Sequence, residues 1–328
     1  MTAMKNRRIF WRAAPALVLL VLILLLGQPR PLAEDQLLLR LVENQRQGRL
    51  MQALYQAEAL AARDGWTPDL LRLAGDTWYA TGDLSRAAAY WSTLPDEPAL
   101  LRRLADTYIE LQDWDAAAAT LERLLALTPD DRRAHYQLGL IQAADPAAAR
   151  DHLLRVIADP LYRDTAAALL DVIETTTAHL PMQIGIALAE LGLWPDAERA
   201  FEQAAESDGP LAEALAYKAL ARDRQGKDGR ADLARALELA PQNALVRYLD
   251  GLHRRAAGDL TGSLAAFQLA AALDPTNPAY AAELGAAYRL ADDLDQAEEW
   301  LKHAVALSGH DARFQGLLDA FYADVLPN

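Results

Sequence analysis

Apolar and polar positions follow the period of an amphipathic helix along most of this chain, and the pattern itself recurs. Residues 244–275 and 278–309 superpose at a spacing of 34: Gly251 falls on Gly285, Leu260 on Leu294, Phe267 on Leu301 and Ala270 on Ala304. A fixed period of this size marks stacked repeats. In the second copy, Leu284, Gly285 and Tyr288 belong to one predicted helix. Ala297, Leu301 and Ala304, spaced four and three apart, share one face of the next. Small residues let the two axes approach, and large ones fill the space between turns. The polar run Asp292-Asp293-Leu294-Asp295 separates the helices. Asp295 is the expected N-cap, with Glu298 completing a capping box, and Ser85, Asp115 and Thr261 are expected to do the same elsewhere.

The same pattern extends towards the N-terminus. Residues 34–48 and 49–63 read as a degenerate first pair of helices. Residues 69–94 carry Gly75, Trp78, Gly82-Asp83-Leu84, Ala87 and Trp91; residues 97–129 carry Leu104-Ala105, Tyr108, Trp114, Ala117 and Leu121. Residues 133–160 hold Leu138-Gly139, Ala149 and Leu153, with a shortened turn. The phase then breaks. Residues 163–175 predict an extra helix without a partner, ended by Thr175-Thr176-Thr177, and Pro181 restarts the repeats with Ile184-Gly185, Trp194 and Phe201. Residues 211–241 form a weaker copy. A last helix over 313–325 is expected to turn Leu317, Leu318 and Phe321 inward as a cap. Trp78, Trp91, Trp114 and Trp194 fall at packing positions and are expected in the core.

Over residues 34–309 these matches resemble the tetratricopeptide repeat (TPR) family. The resemblance implies an all-α, right-handed superhelical solenoid of antiparallel helix pairs, here preceded by one N-terminal hydrophobic helix. It divides the chain into a basic segment (1–12), a transmembrane signal anchor (13–27), a linker (28–33), a first array (34–160), an irregular extra helix (161–180), a second array (181–309) and a C-terminal capping helix (310–328). In this family a concave groove is lined by the first helix of each repeat, at positions three before, one after and four after the small residue. That rule places Arg72, Asp76 and Tyr79, then Arg102, Asp106 and Ile109, in the groove, followed by an apolar stretch: Tyr136 and Leu140, Met182 and Ile186, Tyr248 and Leu252. The family's carboxylate clamp uses Lys and Asn at such places. Neither stands here, which argues against an acidic C-terminal tail as ligand. Whether the groove is open or filled by the last helix is left open.

Composition narrows the partner. Ala and Leu dominate and β-branched residues are sparse, which favours helix. Net charge is −14; residues 1–30 contain Lys5, Arg7, Arg8, Arg12 and Arg30 and no acid, so the remainder stands at −19. A surface that acidic argues against nucleic acid as a partner. Without cysteine, disulfides, zinc-thiolate sites and thiol catalysis are excluded. The basic segment 1–12 leads into unbroken apolar residues from Ala13 to Leu26, closed by Gly27-Gln28-Pro29-Arg30-Pro31. The stretch resembles a signal peptide or an uncleaved anchor. Pro31 spoils the best cleavage position, Pro31-Leu32-Ala33, which favours an anchor with its basic flank cytoplasmic and the repeats outside the cytoplasm; cleavage would instead give a secreted protein.

No constellation for chemistry stands out. His135, His152, His179, His253, His303 and His310 form no H-E-x-x-H and no close pair, and are expected at the surface or in the groove. Gly226-Lys227-Asp228-Gly229 lacks the first glycine of a phosphate loop. No catalysis, cofactor, metal or small-molecule substrate is expected. The leading expectation is a membrane-anchored scaffold holding a protein or peptide partner in its groove. The alternatives are a structural subunit of a membrane complex that binds through its convex face or edges, and, more remotely, an enzyme on a helical-repeat scaffold.

Overall fold

The computed structural model describes residues 34–325 apart from 177 and 208, with side chains from Leu38 onward. The expected basic segment, anchor and linker therefore lie outside the described residues. Those described form eighteen α-helices and no strand, and none is long and apolar enough to cross a membrane. The chain divides into two compact units, residues 1–120 and 121–328.

In the first unit, α1 (Glu34–Arg46) pairs with α2 (Leu50–Asp64) and α3 (Pro68–Thr81) with α4 (Leu84–Trp91). α5 (Pro98–Glu110) packs on α4, and α6 (Trp114–Leu127) begins before the unit ends. In the second unit, α7 (Arg132–Ile141) pairs with α8 (Pro146–Val156), α10 (Leu180–Glu190) with α11 (Trp194–Glu206), and α12 (Leu211–Arg224) with α13 (Arg230–Leu239). The last two pairs are α14 (Ala244–Ala256) with α15 (Leu260–Leu273) and α16 (Pro278–Leu290) with α17 (Leu294–Leu307). The helix at the break in phase, α9 (Arg163–Thr175), packs on both α8 and α10.

The close approach within a pair is made at glycine. A Cβ on Gly251 would lie 2.5 Å from the Phe267 ring, one on Gly185 2.5 Å from Phe201, and one on Gly285 2.9 Å from Leu301 Cγ and 3.1 Å from the Ala297 carbonyl oxygen. Each bulky partner is buried and comes from the facing second helix. Small on one helix and large on the other is how the interior reaches close packing.

The turn inside a pair differs from expectation by two residues. The N-caps are Asp83, Asp113, Asp259 and Asp293, which accept from the backbone N–H of Arg86, Ala116, Gly262 and Gln296. Ser85, Asp115, Thr261 and Asp295 already lie inside their helices. The physical reason is the residue before each cap. Gly82, Gln112, Gly258 and Asp292 adopt positive φ, which ends the first helix. The aspartate N–H that follows donates back to Trp78, Tyr108, Arg254 and Tyr288. The chain thus reverses in two residues, and the aspartate lies at the start of the second helix. At Gln112 (φ 59°) a side chain occupies the left-handed region that costs it about 1–2 kcal/mol. Gln112→Gly is expected to raise the melting temperature by about 2–4 °C in calorimetry.

The last helix, α18 (Ala312–Val325), packs on α17 and α16. Leu318 and Phe321 are buried as expected, but Leu317 is 46% exposed. It stands at the edge of the inward face that Leu318 and Phe321, three apart, define.

Candidate functional site

The expected groove positions fall into three groups. In the first unit, charged residues tie neighbouring repeats together. Arg72 donates to Glu97 at 2.9 Å, and Asp76 accepts from Arg103 at 2.6 Å. The Arg103 guanidinium also lies over the rings of Tyr79 (4.7 Å) and Trp91 (4.3 Å). Arg103, one residue past the expected Arg102, is therefore the cation that reaches Asp76 and these rings. Arg102 is exposed, and Asp106 and Ile109 are half-buried.

The second group is interior rather than groove. Leu140 and Met182 are 7% and 3% exposed, in one cluster with Leu169 and Leu170 of α9. Ile186 packs against that cluster, and Tyr136 stacks on Tyr162 at 4.4 Å. The expectation that Leu140 and Met182 present an apolar face to a ligand is thus corrected. The extra helix α9 covers them, and burial pushes the Tyr136 phenol above its ordinary pKa.

The third group stays accessible. Leu252 of α14 and Leu220 of α12, with Asp223, Arg224, Arg255 and Ala256, line a cleft of about 280 Å³. Tyr248 is half-buried beside it, its ring 5.0 Å from Tyr280 and 5.9 Å from Phe267. Burial, with Glu283 nearby, pushes the Tyr248 phenol up to about 12. A second cleft of about 130 Å³ follows between α16 and α18, lined by Ala282, Glu283, Ala286, Arg289, Leu317 and Phe321. Ion pairs cross the rim, Arg255 to Glu283 and Arg289 to Asp324 at 2.5 and 2.7 Å. The last helix packs on α17 and α16 and forms one wall of the second cleft.

One carboxylate beneath the surface is engaged by three partners. Glu198, only 7% exposed, accepts from Lys227 (2.7 Å), Gln225 (2.8 Å) and Arg222 (3.2 Å). Its burial opposes ionisation, but these partners outweigh it and hold the carboxyl below the usual glutamate value. The lysine of the Gly226–Gly229 loop is thereby committed to Glu198. Of the tryptophans, Trp91 is fully buried; Trp78, Trp114 and Trp194 are half-buried, with Arg86 over Trp78 at 4.2 Å and Arg224 over Trp194 at 5.4 Å.

His179, His303 and His310 are exposed as expected, but His135 and His152 depart from expectation. His135 is buried, and its Nδ1 lies 2.8 Å from Nδ1 of His152 on the paired helix. Its Nε2 donates to the Pro129 carbonyl at 2.8 Å, so its Nδ1 accepts the His152 proton. Sequence spacing hides this pair because seventeen residues and a turn separate its members. Burial, then His135, lowers the pKa of His152 below its ordinary 6.5. The unfolded chain therefore binds a proton there first. Stability is full above pH 6.5 and falls as the pH drops from there towards the lowered folded value. A titration of melting temperature from pH 7.5 to 5 should show this loss, and His152→Gln should flatten it over that window.

Two tetratricopeptide repeat family models match the chain, one over residues 88–139 and one over 219–278. No curated protein matches it. Among solved structures it is similar to a tetratricopeptide repeat protein from Parabacteroides merdae ATCC 43184, at 16% identity and TM-score 0.39, over 77% of this chain and 98% of that one. It is also similar to MamA 41-end from Desulfovibrio magneticus RS-1, at 20% identity and TM-score 0.33, over 66% and 98%. A human IFIT1 dimer with m7Gppp-AAAA matches at 14% identity and TM-score 0.37, over 87% and 75%. The two matched stretches are similar to tetratricopeptide repeats, and each covers a run of consecutive helices.

Proposed function

We propose that this chain is a non-catalytic scaffold, anchored in a membrane by its N-terminal segment, that holds a protein or peptide partner in the groove of its second unit outside the cytoplasm. The observation that carries the reading is the accessible row on α12, α14 and α16: Leu220, Leu252 and Ala286 along the floor, Asp223, Arg224, Glu283 and Arg289 along the rim. An apolar floor with charged edges suits a polypeptide segment with apolar anchors. The anchor rests on the sequence, where basic residues 1–12 precede an apolar run that Pro29 and Pro31 end. The charge of −19 beyond residue 30 supports a partner other than nucleic acid.

A photo-crosslinker at Leu252, compared with one at Leu269 on the other face of the same pair, tests the groove. Capture of a protein from position 252 alone supports it. Capture from position 269 alone supports binding through the convex face, where Leu269 is 48% exposed. For topology, a reporter fused after Asn328 should be exported and the protein should resist carbonate extraction. Release by carbonate would replace the anchor with a cleaved signal.

A further inference from the structure

Four large apolar side chains stand more than half exposed among the described residues, and three of them belong to the first helix pair: Leu39 of α1 (67%), with Met51 (68%) and Tyr55 (74%) of α2. The fourth, Leu161 (77%), lies in the turn before α9. On α2, Ala53, Leu54, Ala57 and Leu60 are buried. Met51, Tyr55, Ala59 and Ala62, spaced four, four and three apart, form an exposed row on the other side, and exposed Trp66 follows the helix. Gln52 and Glu58 stand at the edges of that row. A helix apolar on both sides has a second surface to cover.

What covers it follows from where the chain comes from. The apolar run ends at Leu26, and the linker 28–33 leaves six residues before Glu34. With residues 13–27 in the bilayer, six extended residues place the start of the first pair within about 20 Å of the membrane surface, less than the roughly 22 Å length of α2 itself. Tyrosine and tryptophan favour the boundary between headgroups and acyl chains. Charge agrees. Beyond residue 30 the chain stands at −19, but residues 36–66 carry four arginines against Glu43, Glu58 and Asp64. Arg40, Arg46 and Arg49 are exposed and make no ion pair among the described side chains, which leaves them available to lipid phosphates. Arg49 and Met51 share a shallow hollow of about 510 Å³ with Ala80 and Thr81.

We propose that the outer face of α2, made by Met51, Tyr55, Ala59 and Ala62 with Trp66 and Arg49, rests in the headgroup region of the membrane that holds the N-terminal segment. The proposal rests on the anchor reading above and adds that the first helix pair is itself a lipid-binding element. α2 lies parallel to the surface, with Met51 and Tyr55 at the acyl boundary, Arg49 on a lipid phosphate and Glu58 on the aqueous side. A row this short needs no strong affinity of its own, because the anchor supplies a high effective concentration of bilayer.

The chain has no cysteine, so single labels can be placed without other changes. Full-length Met51→Cys, Tyr55→Cys and Leu161→Cys proteins, each carrying an environment-sensitive fluorophore, are reconstituted into vesicles of phosphatidylethanolamine and phosphatidylglycerol. Half of the vesicles contain a lipid with a nitroxide on its acyl chain. Quenching at positions 51 and 55 should exceed that at 161 severalfold, with helicity unchanged, and adding Arg49→Gln should weaken it at 55. Equal quenching at all three positions, or none at 51 and 55 in protein that floats with the vesicles, overturns the contact and leaves the anchor standing. Protein that fails to float overturns the anchor and the contact with it. Labels at 51 and 55 shielded from water but not quenched by lipid, with disulfide-linked dimers of unlabelled Tyr55→Cys protein, would give this face to a second copy of the chain and overturn the membrane contact.

Discussion

Phe267→Ala is expected to cost about 3–5 kcal/mol in the second unit. The ring is fully buried and fills the space that Gly251 leaves open on the paired helix. Tyr248 and Tyr280 pack around it in the same cluster, and the Arg255 guanidinium lies 5.5 Å from its centroid. Truncation would open a cavity that backbone pinned by a helix pair cannot close. Because repeat arrays unfold piecewise when one interface is weakened, the loss should be read by hydrogen exchange in α14–α16 as well as by urea titration. Gly251→Leu alone overpacks the same place, at about 1–3 kcal/mol. Combined, the two changes are expected to recover part of the loss, with coupling of about 0.5–3 kcal/mol. Strict additivity in that cycle would mean that the glycine and the phenylalanine do not share one space.

The 34-residue spacing made this contact legible, since the glycine and its bulky partner recur at fixed offsets. Helix pairs around Gly75, Gly139, Gly185, Gly251 and Gly285 follow from the same pattern. The turns were less legible, because each contains two polar residues able to cap, and only the positive φ before Asp83 or Asp293 selects between them. The groove was half-legible. Counting from a glycine finds Tyr248 and Leu252, but α12 has Ala219 at that position, and Leu220 escapes the count. Leu140 and Met182 look like groove residues by the same count. Their burial depends on where α9 packs, which periodicity within a repeat does not encode. Arg103 was hidden by its neighbour Arg102: one residue on a helix is 100° of rotation, enough to move a charge from solvent to the Asp76 carboxylate.

The least legible contact joins residues 59 apart, and breaking it is expected to have the second large effect. Arg199 on α11 is 6% exposed; it donates to the Leu140 carbonyl at 2.8 Å and pairs with Asp196 at 3.0 Å. Burial lowers its pKa, and Asp196 works in the opposite direction to keep it charged. Leu140 lies near the C-terminal end of α7, where helix carbonyls lack intrahelical donors. The guanidinium thus satisfies an α7 carbonyl across the place where α9 interrupts the pairing. Arg199→Met keeps most of the volume but leaves that carbonyl with the Ala143 N–H alone, at 3.2 Å, and Asp196 without its cation. Losing the charged one of that carbonyl's two hydrogen bonds costs about 1.5–3 kcal/mol. Asp196, 21% exposed, adds less than the 3–5 kcal/mol of a fully buried broken pair. A total of about 2–4 kcal/mol is expected, with faster exchange confined to α7–α11. Adding Asp196→Asn should return the ionic part and leave the carbonyl part. If Arg199→Met alone is neutral, water takes the guanidinium's place at Leu140, and the link between α7 and α11 is made by Leu140, Met182 and their apolar neighbours instead.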